Sequence, residues 1–174
     1  TANGSNALEN NTIGASNTAM GYLSLQLTTT GANNTGIGST ALQGNTVGTG
    51  NTAVGTASLE NNGNGNENTA IGISTLSGND GGSFNVAVGA TVLTNNTGGV
   101  ENSATGYASM FSNTAGNNNT TNGAYTLFEN TTGNNNVAIG SYALSSNTTG
   151  IESVAVGYNA LAANTANRNT AVGT

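Results

Sequence analysis

The chain lacks several residue types on which protein chemistry depends. Its 174 residues include no histidine, cysteine, proline or tryptophan, and Arg168 is the single basic side chain. Without His or Cys it has no imidazole base, no thiolate nucleophile and no soft metal ligand, so triads, zinc sites and thiol redox motifs are excluded within it. With one cation it cannot neutralise a phosphate backbone, so we expect no nucleic acid among its partners.

Charge and long apolar runs are also scarce. Seven acidic residues and one arginine give a net charge of −6, and only 5% of the residues are charged. No stretch reaches the length of about eighteen apolar residues that a membrane-spanning helix needs, so we expect no membrane insertion by this segment. We predict that the chain is not an enzyme and that it has no catalytic residues, no cofactor and no metal.

Asparagine, threonine, glycine and serine are abundant, and they recur in a fixed order. The unit reads N-T-A-(V/I)-G-x-x-A-L-x-x-N-T-T-G-x-N, and its first glycine returns every seventeen residues, with a last step of sixteen: Gly4, Gly21, Gly38, Gly55, Gly72, Gly89, Gly106, Gly123, Gly140, Gly157 and Gly173. A constant period of this length indicates a repeat architecture in which each unit is one coil.

Two glycines and two short apolar stretches define the predicted coil. A second glycine follows the first by ten residues, from Gly14 to Gly150, and we expect both to form corners with positive φ. The N-T-A-V-G stretch and the stretch around A-L are each predicted to be a strand. The fold class is therefore all-β: a parallel β-solenoid, or β-roll, of about ten 17-residue coils, forming a single repetitive domain over residues 1–174.

Stacked coils place equivalent residues in columns along the solenoid. A large apolar residue is predicted to fill each coil, at Leu42, Leu59, Leu76, Leu93, Leu127 and Leu144. One asparagine column is predicted to form a hydrogen-bonded ladder, at Asn34, Asn51, Asn68, Asn85, Asn102 and Asn119. A second asparagine column runs from Asn45 to Asn164. Stacked amides can bond to one another at the strand spacing, so both columns are expected to stabilise the stack.

The two faces of the first strand bear on assembly. Its Ala and Gly side is small enough to lie inside a narrow coil, which leaves Thr and Val or Ile outside. The outer column is a predicted subunit interface, at Ile37, Val54, Ile71, Val88, Ile139 and Val156. An apolar stripe of this kind is typical of an interface, most simply that of a parallel homotrimer. The alternative places Val and Ile inside, which gives a monomer.

Three copies of the first strand carry a family resemblance. N-T-A-V-G from Asn51, N-V-A-I-G from Asn136 and S-V-A-V-G from Ser153 resemble the head repeats of trimeric autotransporter adhesins. The longer unit with A-L and N-T-T-G is similar to repeats of bacteriophage tail-fibre proteins and large bacterial surface proteins. The resemblance covers the whole chain and implies left-handed coiling, trimerisation and surface exposure. The repeat is longer than that of the adhesin heads, and no heptad stalk, neck motif or anchor-barrel pattern is present.

These features predict a structural fibre or filament protein, extracellular or exposed on a cell or virion surface. Its expected partner is itself, as a trimer or stacked end to end, and the chain is either a segment of a longer fibre or a filament subunit. The alternative is an adhesin or tail-fibre binding module whose partner is a host-surface glycan or protein receptor. A minor alternative is an ice-binding solenoid, because a threonine column begins at Thr18 and runs to Thr69 before Val86 replaces it.

A few positions depart from the repeat. Thr105 and Asn122 replace the outer apolar residue, while Phe111 and Phe128 add aromatics, and we expect a shifted core or a locally altered interface there. The tyrosines are expected to cap the edge of the stripe, with glycan binding as the alternative: Tyr22, Tyr107, Tyr125, Tyr142 and Tyr158. One acidic column is expected to occupy solvated corners, at Glu67, Glu101 and Glu152.

Overall fold

The computed structural model describes all 174 residues as one stack of coils. It contains no helix and eleven short strands: β1 Ala2–Asn3, β2 Thr18–Met20, β3 Thr35–Ile37, β4 Thr52–Val54, β5 Thr69–Ile71, β6 Val86–Val88, β7 Ser103–Thr105, β8 Thr120–Asn122, β9 Val137–Ile139, β10 Val154–Val156 and β11 Thr170–Val172. The strands form one sheet in sequence order, and all neighbours are parallel. The predicted parallel β-solenoid is confirmed.

The pairing register follows the repeat. Strands β3 and β4 pair Thr35 with Thr52 and Ile37 with Val54, a shift of seventeen residues. The last pair, β10 with β11, joins Val154 to Thr170, which absorbs the single sixteen-residue step. At a strand spacing of about 4.8 Å, ten intervals give a rod about 48 Å long. Because no helix forms, none is available to cross a membrane.

The second predicted strand, around A-L, is wrong, because this stretch forms consecutive turns. In the coil of β2, Ser24 N donates to Gly21 O, and Gln26 N donates to Leu23 O. Leu23 and Leu25 have φ values of 57° and 53°, and a positive φ at the third residue is the feature of type II turns. Leucine seldom adopts this left-handed conformation, so the residue type gave no local signal for it. Burial of the side chain offsets the cost of the positive φ at Leu25, which is fully buried.

The two glycine columns are needed for different reasons. Gly55 represents the first column: its φ is +132°, and a Cβ there would lie 2.5 Å from the carbonyl oxygen of Gly72 in the next coil. The expected positive φ is wrong for the second column. Gly65 has no positive φ, but a Cβ there would lie 2.4 Å from both Asn62 Oδ1 and Gly82 O. Close approach between coils, and not left-handed backbone, therefore requires the second glycine.

The interior combines small apolar residues with leucine. The predicted core leucines are all fully buried: Leu42, Leu59, Leu76, Leu93, Leu127 and Leu144. The central alanines of the strands, such as Ala53 and Ala70, are also fully buried, whereas Ile37 and Ile71 remain 38% and 42% exposed. The alternative orientation, with Val and Ile inside the coil, is therefore wrong.

Hydrogen bonds join the coils around their whole circumference. Of 111 backbone–backbone bonds, 19 lie within the strands, and the other 92 involve turns, corners or the residues that flank the strands. In the turn region, Leu25 N donates to Ala41 O of the next coil at 3.0 Å, and Leu27 N donates to Gln43 O at 2.9 Å. The sheet alone therefore does not define the stack, because the turns are hydrogen-bonded to one another as regularly as the strands.

One coil carries a polar substitution in its interior. Thr121 of β8 stands where other coils have a small apolar residue, and it is 2% exposed. Its hydroxyl lies 2.6 Å from that of Ser109, and the Ser109 hydroxyl lies 2.7 Å from that of Thr126. Buried hydroxyls are stable when hydrogen-bonded, so the altered core expected in this copy consists of a local hydroxyl cluster.

Candidate functional site

The first asparagine column forms a buried ladder along the rod. At Asn68, the side-chain Nδ2 donates to Asn51 Oδ1 at 3.2 Å and to Gly82 O at 2.8 Å. Its Oδ1 accepts from both the backbone N and the side-chain Nδ2 of Asn85, at 3.0 Å and 3.1 Å. The same pattern occurs at the other members of the predicted ladder: Asn34, Asn51, Asn85, Asn102 and Asn119. Since these amides bond to one another and to backbone, they tie coils together and present nothing to a ligand.

The second asparagine column forms a ladder that is interrupted near both ends. From Asn62 to Asn130, each side chain donates to the Oδ1 of the preceding coil, at 2.6–2.8 Å. The ladder stops there, because Asn147 Nδ2 donates to Gly150 O instead and Asn130 Oδ1 is buried without a partner. Thr28 occupies this column one coil before Asn45, and both its Oγ1 and the Oδ1 of Asn11 are buried without a partner. A buried polar atom without a hydrogen bond destabilises the fold. The break at Thr28 is therefore a weak point of the rod.

Replacing Thr28 with asparagine should repair this break. The new amide would donate to Asn11 Oδ1 and to Gly31 O, and its own oxygen would accept from Asn45 Nδ2, as the next coils do. We expect the free energy of unfolding to rise by about 1–2 kcal/mol, measured by urea denaturation. Thr30→Asn, at an exposed position two residues away, is the control and should change little. Equal or lower stability of the Thr28→Asn variant would contradict the role assigned to the ladder.

The predicted interface residues lie side by side on the outer face of the sheet. Ile37, Ile71 and Ile139 are 38%, 42% and 41% exposed, and the others are partly buried: Val54, Val88 and Val156. We call this column the apolar stripe. It is continuous from β2 to β6 and resumes at β9, because Thr105 and Asn122 occupy it in β7 and β8. The neighbouring outer column changes from threonine to Val86 at β6, so the face carries no continuous pair of threonine columns.

Six aromatic residues gather at one corner of the rod, downstream of β7 to β10. We call this cluster the aromatic ladder: Tyr107, Phe111, Tyr125, Phe128, Tyr142 and Tyr158. The rings of Tyr125 and Tyr142 are stacked, with centroids 5.1 Å apart and planes at 14°. Those of Phe111 and Phe128 are also stacked, at 5.4 Å and 17°. Both pairs are seventeen residues apart, so the repeat itself places each pair in one column.

Tyr125 lies at the centre of the aromatic ladder. Its ring contacts Tyr142 on one side and meets Tyr107 and Phe128 edge to face, with centroids 5.3 Å and 5.5 Å away. Desolvation raises the pKa of its phenol above the ordinary value, and the nearby Tyr107 phenol adds to the shift. The phenol is therefore neutral at physiological pH and adds no charge to this corner.

A groove of about 300 Å³ opens in this corner, between the coils of β8 and β9. It is lined by the same three positions of two consecutive coils: Tyr125, Phe128 and Glu129 from one, and Tyr142, Ser145 and Ser146 from the next. The phenylalanine stack ends here, because Ser145 occupies the position one coil after Phe128. Replacing a ring with a small side chain leaves the space that forms the groove.

The acidic residues are dispersed over the surface. Glu67, Glu101 and Glu152 share one column but lie two or three coils apart, and no three acidic side chains form a cluster. The single ion pair joins Arg168 Nε to Glu152 Oε2 at 2.7 Å, and this hydrogen bond raises the pKa of Arg168. Glu129 in the groove is therefore without a cationic partner in the chain.

Comparisons with protein-family models, curated proteins and solved structures find no match to this chain.

Proposed function

We propose that the chain is a structural rod that forms part of an extracellular fibre or filament on a cell or virion surface. The observation that carries this proposal is the constant register of the coils, which holds from β1 to β10. Bending such a rod would strain strand, turn and asparagine hydrogen bonds together. Each coil of such a solenoid contacts only the coils next to it, so coils can be added without changing the local structure.

The apolar stripe supports self-association, and we propose a parallel homotrimer. Three-residue strands stacked over about 48 Å give a face of about 500 Å², which equals the largest apolar patches of ordinary monomers. A standard interface buries about 800 Å² per partner, so the columns beside the stripe would also take part. A three-fold arrangement allows each chain to contact two neighbours with one such face.

Replacing Ile71 with lysine should break this assembly. The charge would lie within the apolar stripe, where a partner would have to bury it, and burying an unpaired charge is costly. We expect the parent chain to have three times the mass of one chain in sedimentation equilibrium, and Ile71→Lys to dissociate. Val47→Lys is the control, because Val47 is 47% exposed beside the second glycine column, away from the strand and its neighbouring columns. A monomeric parent would overturn the trimer and leave the rod intact.

The location can be tested separately. Antibodies raised against the purified rod should label intact, unpermeabilised cells or virions, and electron microscopy should place the label on fibres. Labelling that appears only after lysis would overturn the extracellular role, whatever the oligomeric state.

The second candidate is a binding module, either an adhesin or a tail-fibre segment. It is favoured by the groove in the aromatic ladder, because a concave, largely apolar site with a few polar groups is typical of ligand binding. A rod that binds a host receptor should attach to host cells, and excess free rod should compete with that attachment. Absence of attachment would leave the structural role as the better account.

A further inference from the structure

One face of the Phe128 ring is left without an aromatic neighbour along the rod. Phe111 stacks on Phe128 from the preceding coil, with planes at 17°. The next coil has Ser145 at this position, and the groove lies there. The stack therefore ends at Phe128. The space beyond this ring suits a flat group that can pack against an aromatic face. Tyr142 forms another wall of the same space.

The electrostatics of the groove favour a positively charged ligand. Glu129 is exposed and its carboxylate has no ion pair, because the single basic side chain, Arg168, pairs with Glu152. Aromatic faces carry the negative part of the ring quadrupole, and the net charge of the chain is −6. The other polar groups of the groove are the hydroxyls of serine and tyrosine. An anion would be repelled by this site, and a cation would be attracted to it.

We propose that the groove binds a guanidinium group, the side chain of an arginine displayed by a partner protein. A guanidinium is planar and weakly hydrated, so it can stack on Phe128 as the next member of the phenylalanine stack. Its N–H fork can donate to the Glu129 carboxylate. The hydroxyls of Ser145 and Ser146 can accept from the remaining N–H groups. This site is independent of whether the rod belongs to a fibre.

Other ligand classes fit the same features less well. A lysine ammonium is compact and strongly hydrated, and it lacks the plane that would continue the stack. A neutral hexose could pack on the ring and donate hydroxyls to the carboxylate, but it carries no charge and so lacks the attraction that an acidic chain exerts on a cation. The juxtaposition of an open ring face with a free acid is the feature that favours the guanidinium.

The first test titrates the full chain with a short blocked peptide, acetyl-Gly-Arg-Gly-amide, and follows the ring signals of Phe128 and Tyr142 by NMR. We expect saturable binding, several-fold tighter than that of the lysine counterpart. Raising the salt from about 20 mM to about 500 mM should weaken it, because screening reduces attraction between exposed charges. Methyl hexosides should not bind at the same concentrations.

Variants of the groove provide the second test. Glu129→Gln should lower the affinity for the arginine peptide by about tenfold, because a charge-assisted hydrogen bond becomes a neutral one. Glu101→Gln removes an exposed acid from another corner and should leave the affinity unchanged. Ser145→Phe should continue the phenylalanine stack, fill the groove and abolish binding. If the Ser145→Phe variant fails to fold, the comparison of Glu129→Gln with Glu101→Gln still tests the proposal.

Three results would overturn the proposal. The first is absence of binding by the arginine peptide. The second is equal affinity of the parent and Glu129→Gln, which would show that the carboxylate takes no part. The third is salt-independent binding of a hexoside in place of the peptide, which would make the groove a carbohydrate site.

Discussion

Replacing Asn68 with aspartate is expected to lower the free energy of unfolding by about 3–5 kcal/mol, because it places an unpaired charge and an acceptor oxygen where an amide nitrogen donates two hydrogen bonds. Asn68 is fully buried. Its Nδ2 donates to Asn51 Oδ1 and to Gly82 O. Aspartate has nearly the same shape, but a carboxylate oxygen would face these two acceptors. The substitution therefore tests the hydrogen bonds of the ladder with little change in packing volume.

The loss of stability in the Asn68→Asp variant should increase as pH rises. A carboxyl group buried among acceptors keeps its proton more firmly in the folded chain than in the unfolded chain. The folded state then binds more protons, so the stability of the Asn68→Asp variant falls as pH rises through about 4, the ordinary value for aspartate, towards neutrality. Urea denaturation at about pH 3 and about pH 7 would measure this difference, and the variant should be closer to the parent at the lower pH.

An exposed asparagine gives the matched control. Asn118→Asp adds the same charge at an exposed position, and its side chain makes no hydrogen bond within the chain. Its free energy of unfolding should stay within about 0.5 kcal/mol of the parent value. If the Asn68→Asp and Asn118→Asp variants were equally stable, the amide ladder would not contribute to holding the coils together.

Replacing Gly55 with alanine is the second large effect, and we expect it to cost about 3–5 kcal/mol, measured by thermal or urea unfolding. The φ of Gly55 is +132°, and the added Cβ would lie 2.5 Å from the carbonyl oxygen of Gly72 and 2.7 Å from its carbonyl carbon. Both atoms belong to the backbone, so no side-chain rotation can relieve the overlap. The two coils would have to separate at this corner, which would break the hydrogen bonds beside it.

Gly98 offers a control with the same chemical change. A Cβ at Gly98 would meet no atom within 4 Å, and its φ is not positive. Gly98→Ala should therefore be neutral or slightly stabilising, by up to about 1 kcal/mol, since alanine reduces the entropy of the unfolded chain. Comparable destabilisation by the Gly55 and Gly98 substitutions would show that loss of glycine flexibility, and not close approach between coils, is responsible.

Much of the fold could be predicted from the repeat. The seventeen-residue period predicted the coil and the parallel register that joins Thr35 to Thr52. Alternation along the strand predicted that Ala53 would face inward and Ile37 outward. These inferences succeed because a repeated residue in a stack contacts its own copies. The residue type that a column shares then indicates whether its side chains can be buried inside the coil.

The repeat predicted only part of the candidate site. The sequence showed Phe111 and Phe128 as departures from the repeat that predicted an altered core or interface. The tyrosines were interpreted separately, as caps on the edge of the apolar stripe or as a glycan site. In the structure they form one ladder, and the groove exists because Ser145 follows Phe128 in the stack. Finding the site required the distances between neighbouring columns, which the period of the sequence does not contain.

The amino-acid sequence by itself determined the period, the stacking of coils in parallel register, and the leucine and first asparagine columns. The tertiary structure alone decided that the A-L stretch turns instead of extending, with Leu25 at a φ of 53°. It also decided that Gly65 is needed for close approach and that Thr28 breaks a ladder. The physical reason is the same in each case. A period specifies which residues stack, whereas backbone conformation within the coil depends on contacts that form only when the next coil is in place.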